Sequence, residues 1–171
     1  MSKLTNDSKQ RFFPYIGEFP LETNFEPNFF DAIHISNVLH FIRGEYFDVS
    51  LQKCFSWLKP EGKIFINTCS LYFPYFRDFV KVYENRKNNR QKWPGEIENY
   101  KYFMPQDAPR IQIESEPDFL HVFKREDLED KLKAVGFTIC TSEYFTLKNL
   151  DFIKYADDSR SWVGIIANKK P

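Results

Sequence analysis

The chain has 171 residues, with 24 basic and 24 acidic side chains and a formal net charge of zero, so it lacks the basic excess of a nucleic-acid footprint. A hydrophobic fraction of 42% is enough for one buried core, no apolar run approaches the roughly 20 residues of a membrane span, and the polar start MSKLTNDSKQ reads as neither signal peptide nor anchor. Cys54, Cys69 and Cys140, odd in number and without C-x-x-C spacing, argue against a disulfide framework or a zinc ribbon and for a reduced, cytoplasmic setting.

Residues 1–11 are expected to be disordered or frayed. RFFPYIGEF, broken by Pro14 and Gly17, reads as a short strand or extended segment over 12–19, followed by a loop punctuated by Pro20 and Pro27. Asp31–Ser36 reads as a strand buried on both faces, because few of its residues are polar. It then runs into Ser36 and Asn37 before resuming as VLHFI. Either the carboxyl end of that strand is a ligand site, or Ser36 or Asn37 caps a helix.

A helix follows over about Gly44–Leu58, since Phe47, Leu51, Cys54, Phe55 and Leu58 recur at helical spacing. Pro60 and Gly62 stop it in a tight turn, and residues 63–68 form the next strand. Strand, helix and strand in that order make a βαβ unit with parallel strands. Residues 71–112 interrupt the rhythm with aromatics and bases: a helix fits about Pro74–Asn88, with Phe76, Phe79, Val80 and Tyr83 on one side, and the rest reads as loop. Arg125–Val135 is a helix with Leu128, Leu132 and Val135 on one face, Glu126 and Asp127 in its first turn and Gly136 as its carboxyl cap. Phe137–Phe145 and residues 162–168 are the last strands, separated by a loop with room for a short helix.

FFDAIHISNVLHFI, a helix, WLKPEGKIFI, a long insertion, LHVFKREDLEDKLKAVGF and two terminal strands stand in the order found in the carboxyl-terminal half of class I S-adenosylmethionine-dependent methyltransferases, and the chain resembles that family over about residues 12–168. The resemblance implies an α/β fold: a partial Rossmann-like methyltransferase domain over 12–171, with a mixed sheet, helices on both faces and an antiparallel terminal strand. It also implies S-adenosylmethionine as cofactor. By the family's pattern, Gly17, Glu18 and Phe19 match the pair beside the adenine, with Glu18 accepting from the adenine amino group, and Ser36, Asn37 and Val38 match the segment lying along the cofactor. No glycine-rich loop lies upstream of Ile16, so the domain is expected to be truncated, with cofactor binding incomplete in this chain. The edge of the 31–36 strand would be left open to a partner chain or a second copy.

His40 and His121 are the candidate catalytic or substrate-contacting groups, each set against a packed structural histidine, and His34 is expected to be structural. The three histidines lack metal-ligand spacing, so no metal is expected. The insertion has three readings. It caps a substrate pocket, it offers Arg77, Lys81, Arg86, Lys87, Arg90 and Lys92 to RNA, or it packs through its aromatics as a plain solvated helix. Methyl transfer to a small molecule is the expected activity, with nucleic acid and membrane not expected as partners. The alternative is an inactive, methyltransferase-like module that binds a protein.

Overall fold

The computed structural model describes residues 12–103, 118–146 and 159–171. Four strands form the main sheet: β1 (Phe30–Ser36), β2 (Leu58–Cys69), β5 (Phe137–Phe145) and β6 (Trp162–Lys169), in the order β1-β2-β6-β5. β1 and β2 are parallel and joined by α1 (Gly44–Trp57), which is the expected βαβ unit. β6 runs antiparallel to both β2 and β5, so the terminal strand is reversed as the resemblance implied.

The period of two along the strands decides where the core sits. Ile33 and Ile35 pair with Ile64 and Ile66, which pair in turn with Ala167 and Ile165, so one face is aliphatic across three strands. α1 lays Phe47, Leu51 and Cys54 on that face, and α3 (Arg125–Val135) adds Leu128 and Leu132, all within one buried cluster. The other face carries Ala32, His34, Lys63, Phe65, Asn67 and Ile166, each exposed or half-buried.

Helix ends are closed by specific contacts. Gly136 adopts φ 116° and donates its N–H to the Leu132 and Lys133 carbonyls, as the cap reading requires. At the other end of α3, the Arg125 N–H donates to the Tyr144 hydroxyl of β5 at 2.9 Å, and that hydroxyl donates to Glu126 at 3.1 Å. The turn after α1 departs from the expected form. β2 begins at Leu58, and its register with β1 jumps between the pairs Phe30–Leu58 and Ala32–Lys63, so Lys59–Gly62 bulges out. Glu61, not Gly62, holds the left-handed conformation, at φ 67°. Gly62 is small for another reason: a Cβ there would lie 2.9 Å from the Lys59 carbonyl and 3.1 Å from that of Asp31.

β1 is not buried on both faces. Asp31, Ala32 and His34 are exposed, because α1 and α3 cover only the face that carries Ile35, Ile64 and Ile66. Residues 12–19 pair with no strand and bend into a turn at Gly17–Phe19, and Ile16 is 99% exposed.

The insertion is more ordered than a loop. A 3-10 turn (Pro74–Phe76) leads into α2 (Phe79–Asn88), and β3 (Glu96–Glu98) pairs antiparallel with β4 (Phe119–His121). A further 3-10 turn covers Tyr100–Phe103. Phe73, Phe76, Phe79, Tyr83, Ile97 and Leu120 build a second buried cluster. Its aromatics are therefore mostly core. The far end of the insertion and most of the loop between β5 and β6 lie outside the described residues.

Candidate functional site

At the carboxyl end of β1, Asn37 adopts φ 58° and donates its N–H to the Asn67 carbonyl at 2.9 Å. Asn tolerates this left-handed conformation better than most residues, which accounts for a polar residue at the strand's end. Helix capping does not. The 3-10 turn Leu39–Phe41 is capped at Val38 without a side-chain bond. The first N–H of α1, that of Gly44, is taken by Glu96 of β3 at 2.6 Å. That contact spans 52 positions of sequence and leaves no local signal. Ser36 is half-buried with Asn67 Nδ2 3.5 Å from its hydroxyl, whereas Asn37 and Val38 are exposed.

Glu18 opens a tight loop. Its carbonyl accepts from the Glu22 N–H at 2.7 Å, and its own N–H donates to the Glu22 carboxylate at 2.9 Å. Lys53 of α1 holds that loop by donating to the Pro20 and Thr23 carbonyls at 2.6 and 3.0 Å. Phe19 is thereby set against Trp57, ring centres 6.3 Å apart. Phe19 and Val38 line one depression of about 380 Å³ with Phe25, Phe30 and Trp57. Glu18 and Phe19 line a second, of about 480 Å³, with Phe41, Arg43 and Phe119. The fold thus brings Glu18 and Phe19 beside the segment that follows β1. Gly17 is exposed, and neither it, Ser36 nor Asn37 lines either depression.

The two candidate histidines are opposite tautomers. His40 is 6% exposed, and its Nδ1 accepts from the Cys69 N–H at 3.3 Å and lies 3.2 Å from the Thr68 hydroxyl. A backbone N–H can only donate, so Nδ1 is a lone pair and the neutral ring carries its proton on Nε2. His40 is therefore a tie between the turn after β1 and the end of β2, with a donor to spare rather than a basic nitrogen. His121 is 2% exposed, and its Nδ1 lies 3.2 Å from the Ile42 carbonyl. A carbonyl only accepts, so here Nδ1 carries the proton and Nε2 is the lone pair. Burial pushes both imidazoles down to about 4, so both are neutral at pH 7. His34 is exposed on β1 and lines the Phe19–Val38 depression.

The bases of the insertion are largely engaged within the chain. Lys87 and the Tyr83 hydroxyl both meet Asp127 of α3, and Arg86 donates to the Pro94 and Glu96 carbonyls. Lys92 pairs with Asp48 at 3.3 Å, and Arg77 has a partner of its own. These contacts clamp the insertion to α3 and α1. Arg43, 2.6 Å from Glu98, also stacks 4.3 Å over Phe119 at the mouth of the second depression. Among the described residues, no group of three or more His, Cys, Asp or Glu side chains gathers as a metal site, and no helix is long and apolar enough to cross a membrane.

Residues 3–66 match the family model described as a methyltransferase domain, a stretch that runs through β1 and α1 into β2. The fold is similar to that of solved S-adenosylmethionine-dependent methyltransferases. One from Methanosarcina mazei superposes with a TM-score of 0.57 at 16% identity, covering 87% of this chain and 63% of that one. One from Mesorhizobium loti gives 0.53 at 14% identity, covering 86% and 65%. The chain thus spans less than two thirds of the length of either. A third match, at a TM-score of 0.56 and 7% identity over 97% of this chain and 67% of that one, is a complex of the Haloferax volcanii Trm112 methyltransferase activator with a protein assigned as a methyltransferase. No curated protein matches the sequence significantly. The chain thus has the Rossmann-like fold of these solved methyltransferases.

Proposed function

We propose that this chain carries the carboxyl-terminal part of an enzyme that transfers a methyl group from S-adenosylmethionine to a small molecule. The observation that carries the reading is that Phe19 and Val38 line one depression, which runs along β1 from Phe30 to Ile35 and past its carboxyl end, with Glu18 beside it. In open α/β sheets, ligands sit outside the carboxyl ends of the strands. The residues present fit the adenine end of the cofactor: Glu18 offers an exposed carboxylate to an amino group, and Phe19 and Val38 offer apolar surface to a ring. Gly17 leaves room for close approach, and Ser36 and Asn37 set the course of the backbone beneath. When bound, the cofactor supplies an electrophilic methyl group, so the side chains chiefly orient the acceptor and exclude water.

His40 is a positioning residue in this reading. It fixes the turn that carries Val38 and offers an Nε2–H. His121 lines neither depression and takes no part in this reading. The free thiols of Cys54, Cys69 and Cys140 support a reducing compartment such as the cytoplasm.

Titration calorimetry of the chain with S-adenosylmethionine and S-adenosylhomocysteine tests the reading. Micromolar binding, weakened about tenfold or more by Phe19→Ala, is the expected result. No binding up to millimolar ligand overturns it for this chain.

The outer edge of β1, which has no strand partner among the described residues, favours a second reading, a module that pairs with another chain through that edge. Light scattering on the purified chain separates the two. A well-behaved monomer removes the edge argument, and a defined dimer supports it.

A further inference from the structure

A third cavity, of about 370 Å³, lies between α2, α3, β4 and the loop before β3, and meets α1 only at Phe47. It shares no lining residue with the two depressions around Phe19. Its size falls in the range of small-molecule sites. Phe47, Trp93 and Phe123 wall it, and His121 lies among them, its ring centre 5.4, 5.7 and 4.3 Å from theirs.

Two features define what would fill it. One is the lone pair on His121 Nε2, which has no hydrogen-bond partner among the described residues. It is an acceptor on a side chain that is 2% exposed and lines the cavity. Such an atom favours a donor. The other feature is the rim, whose charges are largely matched within the chain. Lys87 pairs with Asp127, while Lys92 and Lys131 pair with Asp48. A ligand needs no charge to complete them, and the walls favour an aromatic edge or face.

We propose that this cavity binds a small, neutral, planar aromatic molecule that bears an N–H or O–H group, seated among Phe47, Trp93 and Phe123 and donating to His121 Nε2. The site is independent of the cofactor reading, because none of its walls belongs to the segments assigned to the cofactor.

Indole and benzofuran are the probes, alike in shape and differing in the donor. Both are titrated into the ¹⁵N-labelled chain, and the indole N–H signals of its three tryptophans are followed. Indole should shift the Trp93 signal and leave those of Trp57 and Trp162 in place. Benzofuran should bind about three- to tenfold more weakly, the worth of one neutral hydrogen bond. In His121→Phe, which keeps an aromatic wall and removes the acceptor, indole should fall to the level of benzofuran. Equal binding of the two probes to the unmodified chain overturns the proposal without any variant. So does a shift at Trp57 instead of Trp93, no binding of either probe at millimolar concentration, or an indole preference that survives in His121→Phe.

Discussion

Two buried neutral histidines make this fold acid-labile above the range in which its carboxylates titrate. Each ring takes a proton at about 6.5 when exposed and at about 4 in the fold, with burial as the largest cause. Between those values the unfolded chain binds more protons than the folded one, so stability is full above pH 6.5, falls as the pH falls, and levels off below about 4. Each pH unit costs about 1.4 kcal/mol per group, so at pH 5 each histidine has removed about 2 kcal/mol, and the pair about 4. That is a large share of the roughly 5–15 kcal/mol a small domain commands. Glu126 and Glu129 are held below their ordinary 4.5, so their contribution is lost mainly below the window.

Urea unfolding followed by circular dichroism at pH 7.5 and 5.0 measures the difference. His121→Asn keeps a donor for the Ile42 carbonyl, and His40→Asn keeps an acceptor for the Cys69 N–H, so each removes one titration with modest disturbance of the local bond. The wild type should lose about 4 kcal/mol between the two pH values and each variant about 2. A wild-type loss below about 1 kcal/mol, or variants that lose as much as the wild type, would refute the assignment of these rings as buried and neutral.

Other substitutions probe the packing. Gly95→Ala puts a Cβ 1.9 Å from the Val122 carbonyl, which is backbone and cannot swing away, so the β3–β4 pairing should loosen at a cost of about 1–3 kcal/mol or more, read from the urea midpoint. Gly44→Ala drives a methyl to 2.2 Å from the Trp93 ring and should displace that side chain, read as a shift in its fluorescence. Tyr83→Phe removes the hydroxyl that bonds Asp127 and should cost about 1–2 kcal/mol, with faster amide exchange in α2 than in α1. Leu51→Ala, at a fully buried position between α1 and the sheet, should cost about 2–5 kcal/mol by thermal or chemical unfolding.

The spacing of Phe47, Leu51 and Cys54, the Leu128–Leu132 stripe and the glycine at 136 specify α1, α3 and its cap from within the chain, because helix periodicity and a left-handed cap are local properties. The order of strand, helix and strand likewise implies the parallel pair. The burial of β1 was not legible in its residues. An apolar strand looks the same whether one or both of its faces are covered, and only the packing of α1 and α3 decides which face is buried. The insertion misleads for a related reason: Pro94, Gly95 and the scattered bases suggest loop, whereas Glu96, Lys87 and Lys92 find partners far away in sequence.

The candidate site divides in the same way. Sequence alone determined that Glu18–Phe19 and Ser36–Val38 resemble cofactor-lining segments and that His40 and His121 are the histidines to weigh. Tertiary structure alone decided that Phe19 and Val38 line one depression, that Ser36 and Asn37 do not cap a helix, and that the two imidazoles are opposite tautomers. A histidine's tautomer depends on whether its neighbour is an N–H or a carbonyl. Those neighbours, Cys69 for one ring and Ile42 for the other, stand 29 and 79 positions away along the chain and are brought into contact by the packing of the sheet and its insertion.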